Sequence, residues 1–235
     1  MKKQEMLCHR TPRIELLCEL SRPYKTIADI GCDHAYVAIH LARDEKKVIA
    51  SDISKGPLEK ARKNVETFGL SDKIELRLCS GLSLFKPFEA EAIIIAGMGG
   101  KVISDILKEG IEVSKASKVL FLQPMTSSEE LRKFLYENGF KIKDEHLVSE
   151  DRRIYAVIEA VYEKTESFSP IDLYISPAIR KKLDVPIYYE YAIKILKEFE
   201  KIIKGLEKSS DKEASILYYT NLKEELEKIL ENGKA

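Results

Sequence analysis

TIADIGCDHAY, residues 26–36, contains the features on which the fold prediction depends. Residues 26–30 are short, apolar and rich in β-branched side chains, so they predict a buried parallel strand. Gly31 permits a tight turn directly after that strand, and residues 36–43 predict the helix that follows. A strand, a glycine turn and a helix in this order place a cofactor at the carboxyl edge of a parallel sheet.

Acidic side chains around the turn indicate which cofactor would bind there. A dinucleotide brings a pyrophosphate against the turn and needs further glycines, but Asp33 and Tyr36 occupy those positions. Asp29 and Asp33 would also repel a pyrophosphate. S-adenosylmethionine has no phosphate and carries a sulfonium, an ammonium and a ribose diol, each of which suits a carboxylate partner. The pattern therefore predicts a methyl-donor site.

Asp52 follows the second predicted strand, residues 48–51. It lies about twenty residues beyond the first turn, where an acidic residue holds the ribose hydroxyls in folds of this type. A helix cap or a turn residue is the structural alternative. The spacing favours the ribose role.

Alternating strands and helices continue beyond this point and predict an α/β fold with a Rossmann-like sheet. Further strands are expected at residues 74–78, 92–95, 118–123, 140–147 and 154–161. Further helices are expected at residues 1–25, 57–67, 101–107 and 127–138, with residues 55–57 as a turn. Only a short charged link, residues 149–153, separates the last two strands, so they should pair as an antiparallel hairpin at one edge.

The later strand ends add candidate binding residues at the same edge of the sheet. Ser80, Gly81 and Leu82 follow the third strand, where Ser80 could bond the edge of an adenine ring and Leu82 could pack on its face. An ordinary glycine turn is the alternative. Residues 96–100, AGMGG, follow the fourth strand and leave backbone groups open above the sheet. Gln123 and Pro124 end the fifth strand.

Composition limits which partners, metal sites and cellular compartments are expected. The chain has 235 residues, with 39 basic and 39 acidic side chains, so no global basic field indicates a nucleic-acid partner, although a local patch could suffice. Its four cysteines are scattered without a C-x-x-C pair, which argues against disulfides and against a metal site. The amino terminus lacks a signal-type apolar run, and no stretch approaches membrane-spanning length. We expect a cytoplasmic, monomeric protein.

The two ends of the chain differ in composition from the segments between them. The first 25 residues are basic and would form either a solvated helix face or a lip that contacts phosphates. Beyond residue 163 a linker-like, proline-containing stretch precedes two amphipathic segments, residues 188–206 and 216–230, joined by a loop at 208–211. Their spacing has coiled-coil character and predicts an antiparallel helical hairpin. We therefore expect two domains, residues 1–163 and 164–235.

Five stretches together resemble the bacterial TrmK family. They are ADIGCDHAY, Asp52 with Gly56-Pro57, IIIAGMGG, FLQP and EDRRIYAVIEA. That family methylates N1 of adenine 22 in tRNA, so the resemblance implies a class I methyltransferase core, S-adenosylmethionine as donor and tRNA as partner. Cys32, Cys79-Ser80 and Met125 differ from the more usual residues of the family. The helical hairpin would be either a solvated structural element or an arm that grips tRNA.

The resemblance also implies roles for the candidate residues. The donor side would comprise Asp29, Gly31, Asp33, His34, Asp52, Ile53, Ser80, Gly81, Leu82, Ala96, Gly97 and Met98. The acceptor side would comprise Tyr36, Gly99, Gly100, Gln123 and Pro124. Asp33 is the candidate that favours the developing positive charge on the methylated adenine, with His34 orienting it or the base, and no metal is required.

Three rival functions remain open at this point. The first is a methyltransferase of the same fold that acts on another RNA or on a small molecule. The second is an NAD-dependent enzyme, against which the acids around Gly31 argue. The third is a non-catalytic RNA-binding protein with a vestigial donor pocket, which need not keep the acids Asp29, Asp33 and Asp52 together with His34.

Overall fold

The computed structural model describes residues 10–163, 167–208 and 212–232. The chain divides into two compact units between residues 165 and 166. The first nine residues of the predicted amino-terminal helix and residues 209–211 of the predicted interhelical loop lie outside the described residues. Each unit has its own core.

The first unit is built on a mixed sheet with strand order β3-β2-β1-β4-β5-β7-β6. Its strands are β1 (Thr26–Ile30), β2 (Lys47–Asp52), β3 (Ile74–Leu78), β4 (Ala92–Gly99), β5 (Val119–Thr126), β6 (Phe140–Glu150) and β7 (Arg153–Tyr162). The first five strands pair in parallel, and β7 pairs antiparallel with both β5 and β6. The predicted Rossmann-like sheet with an antiparallel edge hairpin is confirmed.

Helices cover both faces of this sheet. They are α1 (Pro12–Ser21), α2 (Tyr36–Arg43), α3 (Lys55–Thr67), α4 (Gly100–Glu109), α5 (Ile111–Ala116) and α6 (Ser128–Glu137). Alternate residues of the central strands enter opposite cores, so Ile94 packs on one side while Ile93 and Ile95 pack on the other. A strand that is buried on both faces must be apolar throughout, which explains the continuous run in β4.

Three predicted boundaries were wrong. Residues 55–57 form the first turn of α3 rather than a turn before it, because a proline in the first helical turn loses no hydrogen bond. Residues 96–99 continue β4 instead of forming a loop, and α4 begins at once with Gly100. The link between β6 and β7 is only Asp151-Arg152, both at positive φ, which is typical of a two-residue hairpin turn.

A bulge in β6 changes which side chains face the core. The pairing of β6 with β7 shifts between Ile142 and Asp144, so the inward positions move by one residue. Glu145 is consequently fully buried, opposite Ile158. Its carboxylate accepts hydrogen bonds from Arg132 of α6, with Nε–Oε1 2.9 Å and Nη2–Oε2 2.8 Å. A bidentate ion pair inside the core thus joins α6 to β6.

The second unit is helical. After a 3₁₀ turn (Pro170–Leu173) come α7 (Pro177–Arg180), α8 (Pro186–Leu206) and α9 (Glu213–Asn232). The predicted linker was wrong, because Ile171, Ile175 and Ile179 are completely buried. The helices α8 and α9 pack together through Phe199 and Tyr219, whose ring centroids lie 5.9 Å apart. These rings lie at similar distances from the intervening link, as an antiparallel hairpin requires.

No helix in the described ranges is long and apolar enough to cross a membrane.

We predict that Arg132→Met destabilises the protein by about 3–5 kcal/mol, because it leaves the buried charge of Glu145 without the guanidinium. Urea unfolding followed by circular dichroism measures this. Lys133→Met is the matched control, since Lys133 makes an exposed ion pair at 3.8 Å with Glu137 and should cost no more than about 1 kcal/mol. The double variant Arg132→Met/Glu145→Met should be more stable than Arg132→Met alone. Equal costs for Arg132→Met and Lys133→Met would contradict the assignment.

Candidate functional site

The carboxyl edge of the parallel sheet brings the candidate residues together. Register aligns Ile30 of β1 with Ser51 of β2 and with Ile95 of β4, and Ile95 in turn with Leu122 of β5. The turns after β1 and β2 and the last residues of β4 and β5 therefore lie side by side. Candidates that lie far apart in sequence thus belong to one edge, as the sequence predicts.

The turn after β1 is held by backbone hydrogen bonds to the neighbouring strand. The N–H groups of Gly31 and Cys32 both donate to the carbonyl of Ser51, at 2.8 Å each. Gly31 has φ +71°, and a Cβ placed there would overlap the terminal methyl group of Met98. Asp33 and Ala35 also have positive φ, at 47° and 60°. Such a conformation is strained for residues with side chains and is often found at functional sites.

Asp52 is fixed by two backbone donors. The N–H of Ser54 donates to Oδ1 at 2.8 Å, and the N–H of Asp33 donates to Oδ2 at 3.2 Å. The bond to Ser54 makes Asp52 a turn residue, which was the structural alternative to the ribose role. The two uses are compatible, because each carboxylate oxygen can accept a second hydrogen bond. Asp52 also ties the ends of β1 and β2 together.

Asp29 is a carboxylic acid buried just below this turn. Its side chain is 4% exposed, and Oδ2 has no hydrogen-bond partner. Burial raises the pKa of Asp29 to about 7, the N–H of Ala38 in α2 acts in the opposite direction, and the charge of Asp52 raises the pKa further. A buried, unsatisfied carboxylate oxygen is costly in isolation. It fits a cationic ligand such as the ammonium group of S-adenosylmethionine.

Asp33, His34 and Tyr36 form the outer wall of the turn. The side chain of Asp33 is 69% exposed, and its Oδ1 lies 3.6 Å from Nε2 of His34. The His34 ring meets that of Tyr36 edge-on at 5.6 Å. Asn64 of α3 donates from Nδ2 to the carbonyl of His34 at 3.0 Å. Sequence reasoning missed Asn64, because nothing in the helical pattern of α3 marks a residue that reaches across to another turn.

The region expected to meet an adenine ring differs from the sequence expectation in one respect. Leu82 is only 3% exposed and packs against Gly110, so its side chain belongs to the core. Ser80 is exposed and Gly81 has φ +50°. Ile53 is 70% exposed directly after Asp52. Ile53, rather than Leu82, therefore offers exposed apolar surface on this side of the edge.

The end of β4 is held from beneath by Gln123. This side chain is 1% exposed, its Oε1 accepts from the N–H of Gly97 at 3.1 Å, and its Nε2 donates to the carbonyl of Pro124 at 3.0 Å. Gly100 is also buried, and a Cβ there would overlap the backbone carbonyl of Ser127. Gly97 is exposed. Gln123 and Gly100 thus shape the acceptor side from within.

Ala96, Met98 and Gly99 line the same strand end and are partly exposed, whereas Pro124 at the end of β5 is buried. Within the described ranges, no three His, Cys, Asp or Glu side chains are placed to hold a metal ion.

Arg13 of α1 is a further residue that the sequence marked only as part of a basic segment. Its Nη1 donates to Oε1 of Gln123 at 3.3 Å, and its Nε and Nη2 donate to Oε1 of Glu150 at 2.9 and 2.8 Å. The guanidinium also lies over the Tyr155 ring, 4.5 Å from the centroid. These partners are more than a hundred residues away in sequence, so no local pattern could have identified the contact.

Comparison with known proteins gives a consistent result. Residues 10–158 match the model of a methyltransferase domain family. The tRNA (adenine(22)-N(1))-methyltransferase of Bacillus subtilis is 36% identical over 150 residues, which are 63% of this chain and 63% of that relative.

Two solved structures resemble most of the chain. The B. subtilis m1A22 tRNA methyltransferase TrmK has a TM-score of 0.83 at 27% identity and covers 95% of this chain and 99% of its own. M. capricolum TrmK in complex with the cofactor product S-adenosyl-homocysteine has a TM-score of 0.78 at 26% identity and covers 93% of this chain and 96% of its own.

The matched family model, the shared fold and the acidic turn after β1 lead to one assignment: the chain belongs to the methyltransferase domain family and, within it, to the TrmK family.

Proposed function

We propose that this protein transfers a methyl group from S-adenosylmethionine to N1 of adenine 22 in tRNA. The observation that carries the proposal is the carboxylate set at the carboxyl edge of the sheet, above all the unpartnered Oδ2 of buried Asp29. The B. subtilis relative is named for this reaction, and its match with the present chain supports the same substrate. When bound, the donor supplies an electrophilic methyl group on a sulfonium.

On the donor side, each acidic residue has a distinct task. Asp29 accepts a hydrogen bond from the ammonium of the methionine portion, and the backbone of Gly31 lies against that portion. Asp52, already held by the N–H groups of Ser54 and Asp33, accepts from the ribose hydroxyls. Ile53 supplies an exposed apolar surface for the adenine ring, with Ser80 as a hydrogen-bonding partner at its edge.

On the acceptor side, positioning accounts for most of the catalysis. N1 of adenine carries a lone pair at neutral pH, so no general base is needed to activate it. The methylated base is cationic, and the exposed carboxylate of Asp33 favours that charge, with His34 beside it. The target adenine must leave the folded tRNA to reach the site, and Tyr36 is a stacking surface for it.

The remaining parts of the chain complete the proposal. The donor-binding domain comprises residues 1–163, and the helical second domain, residues 164–235, serves either as a structural element or as an arm that grips tRNA. The protein acts as a monomer in the cytoplasm, where its tRNA substrate occurs.

The direct test incubates the purified protein with labelled donor and bulk tRNA and identifies the modified nucleoside by mass. We expect 1-methyladenosine. A transcript whose adenine 22 is replaced by guanine is the matched control and should accept no label. Methylation of both transcripts, or of another nucleoside, would indicate a different substrate within the same fold. A titration with NAD in place of the donor should show no binding.

We predict different effects for substitutions of Asp52 and of Asp33. Asp52→Ala should weaken donor binding by about 10- to 100-fold, since a hydrogen bond to a charged group contributes about 1.5–3 kcal/mol. Asp33→Asn, which tolerates the positive φ, should lower kcat by about tenfold or more and leave donor affinity within about threefold. Calorimetry and initial rates measure both. Asp72→Ala, at an exposed position in the turn before β3, is the control and should change neither donor affinity nor kcat. Normal binding and rates in both variants would refute the assignment.

We predict that donor binding releases a proton near pH 6. With its pKa raised to about 7, Asp29 is mostly protonated at pH 6 without ligand, whereas the ammonium of the donor favours the carboxylate. Affinity should therefore rise as the pH increases from 5.5 to 7.5. Calorimetry at pH 6 in two buffers of different ionisation enthalpy measures the released proton. Asp29→Asn should abolish the release. No difference between the buffers for the unmodified protein would contradict the role of Asp29.

The raised pKa of Asp29 also makes the stability of the ligand-free protein depend on pH. The pKa of Asp29 is higher in the folded than in the unfolded chain, so the folded state holds more protons between about pH 4 and pH 7. The contribution of Asp29 to stability is therefore present at low pH and is lost as the pH rises through 7. Asp29→Asn should flatten this dependence in urea unfolding measured at pH 5 and pH 8.

A further inference from the structure

The bulge at the end of β4 is held by a side chain rather than by the sheet. Register shifts from the pair Ala96–Gln123 to the pair Met98–Pro124, so Gly97 lies between the two pairs. Its φ of +78° is accessible to glycine at little cost. Its N–H donates to Oε1 of Gln123 at 3.1 Å. The conformation of this strand end therefore depends on how the Gln123 amide is oriented.

Arg13 helps to fix that orientation, together with the carbonyl of Pro124, which accepts from Nε2 of Gln123 at 3.0 Å. Nη1 of Arg13 approaches the same Oε1 atom at 3.3 Å, so Gln123 faces two donors, the guanidinium and the N–H of Gly97. A flipped amide would turn its NH₂ group toward both. Because Arg has only donors, it permits one orientation of the amide alone. Without Arg13, the N–H of Gly97 and the carbonyl of Pro124 would still oppose the flip, but the amide would lose the charged donor to Oε1.

Arg13 is itself held in place. Its backbone N–H donates to Oε2 of Glu150 at 3.1 Å, and its Nε and Nη2 donate to Oε1. Burial alone would raise the pKa of Glu150, but the hydrogen bonds from Arg13 lower it, so the carboxylate stays charged. The guanidinium also stacks over Tyr155 of β7. The edge hairpin thus presents Arg13 to Gln123 in a single geometry.

The bulge also positions Met98, whose side chain reaches the turn after β1. Met98 follows Gly97, and its terminal methyl group occupies the space that a Cβ on Gly31 would need. A change in the backbone at Gly97 would shift Met98 against the turn after β1. The contacts therefore run without a gap from Arg13 through Gln123, Gly97 and Met98 to Gly31.

We propose that Arg13 is a positioning residue for methyl transfer, acting through Gln123 on the end of β4. The proposal rests on the methyltransferase function proposed above. It predicts a loss of turnover rather than of tRNA affinity, because Arg13 acts inside the protein and not as a phosphate contact. A phosphate contact would instead raise KM for tRNA and reduce the dependence of binding on salt.

The kinetic test compares Arg13→Met with Arg43→Met. Methionine keeps an unbranched apolar side chain at this position and loses the donors. Arg43 is the matched control because its guanidinium also lies over an aromatic ring, that of Phe68 at 4.8 Å, and it has no part in the site. At a temperature where both variants are folded, Arg13→Met should lower kcat by about tenfold or more, since a 1 Å misplacement can cost about 100-fold. KM for tRNA should stay within about twofold. Arg43→Met should match the unmodified protein.

A double variant at Arg13 and Gln123 provides a second kinetic test. Gln123→Met removes the amide at similar volume. If Arg13 acts only through Gln123, the double variant should lose no more turnover than Gln123→Met alone. Additive losses would refute the coupling, and an unchanged kcat for Arg13→Met would refute the positioning role. A raised KM with normal kcat would identify Arg13 as a tRNA contact instead.

Amide hydrogen exchange tests the structural step without any assay of activity. In the unmodified protein the N–H of Gly97 should be protected, and Arg13→Met should speed its exchange by about tenfold or more, whereas Arg43→Met should not. Unchanged protection in Arg13→Met would refute the proposal even if turnover fell. An unmodified protein that shows this exchange pattern but methylates no tRNA would overturn the proposed function and leave the Arg13–Gln123 coupling supported.

Discussion

The burial of the Asp29 carboxyl group at the end of a central strand is the constraint that shapes the candidate site. A carboxylate that is removed from water must be protonated or must find a cationic partner. One oxygen lies near the amide of Ala38 at the start of α2, and the other has no partner. The fold thus maintains an acceptor of fixed position that a ligand ammonium can complete. The raised pKa of Asp29 is the cost of that arrangement in the ligand-free protein.

The turn above Asp29 is arranged by backbone groups more than by side chains. Two consecutive N–H groups, those of Gly31 and Cys32, converge on the carbonyl of Ser51, and the N–H of Asp33 contacts Asp52. Positive φ values at Asp33 and Ala35 accompany this path. The strain is sustained because β1 and β2 pair firmly below the turn. Asp52 joins these two strand ends and keeps lone pairs available at the edge of the sheet.

The antiparallel hairpin contributes to the site from a distance. Glu150 and Tyr155 lie on either side of the two-residue turn between β6 and β7, and both contact Arg13. The hairpin therefore fixes the first helix against the strand ends and supports Gln123 beneath the bulge of β4. In the same hairpin, the bulge in β6 brings Glu145 into the core beside Arg132. Loss of one partner from a buried pair of this kind is costly, because it leaves the other charge uncompensated in the core.

The sequence by itself determined the order of strands and helices, the acidic turn after β1, Asp52 after β2 and the family, because periodicity and short-range spacing carry that information. Only the tertiary structure decided that Leu82 is buried while Ile53 is exposed, that residues 96–99 form a bulged strand, and that residues 170–180 pack in a core. Only the fold brings Arg13 to Gln123 and Arg132 to Glu145. These outcomes depend on which distant surfaces meet. Residues that are far apart in sequence leave no local pattern to predict such contacts.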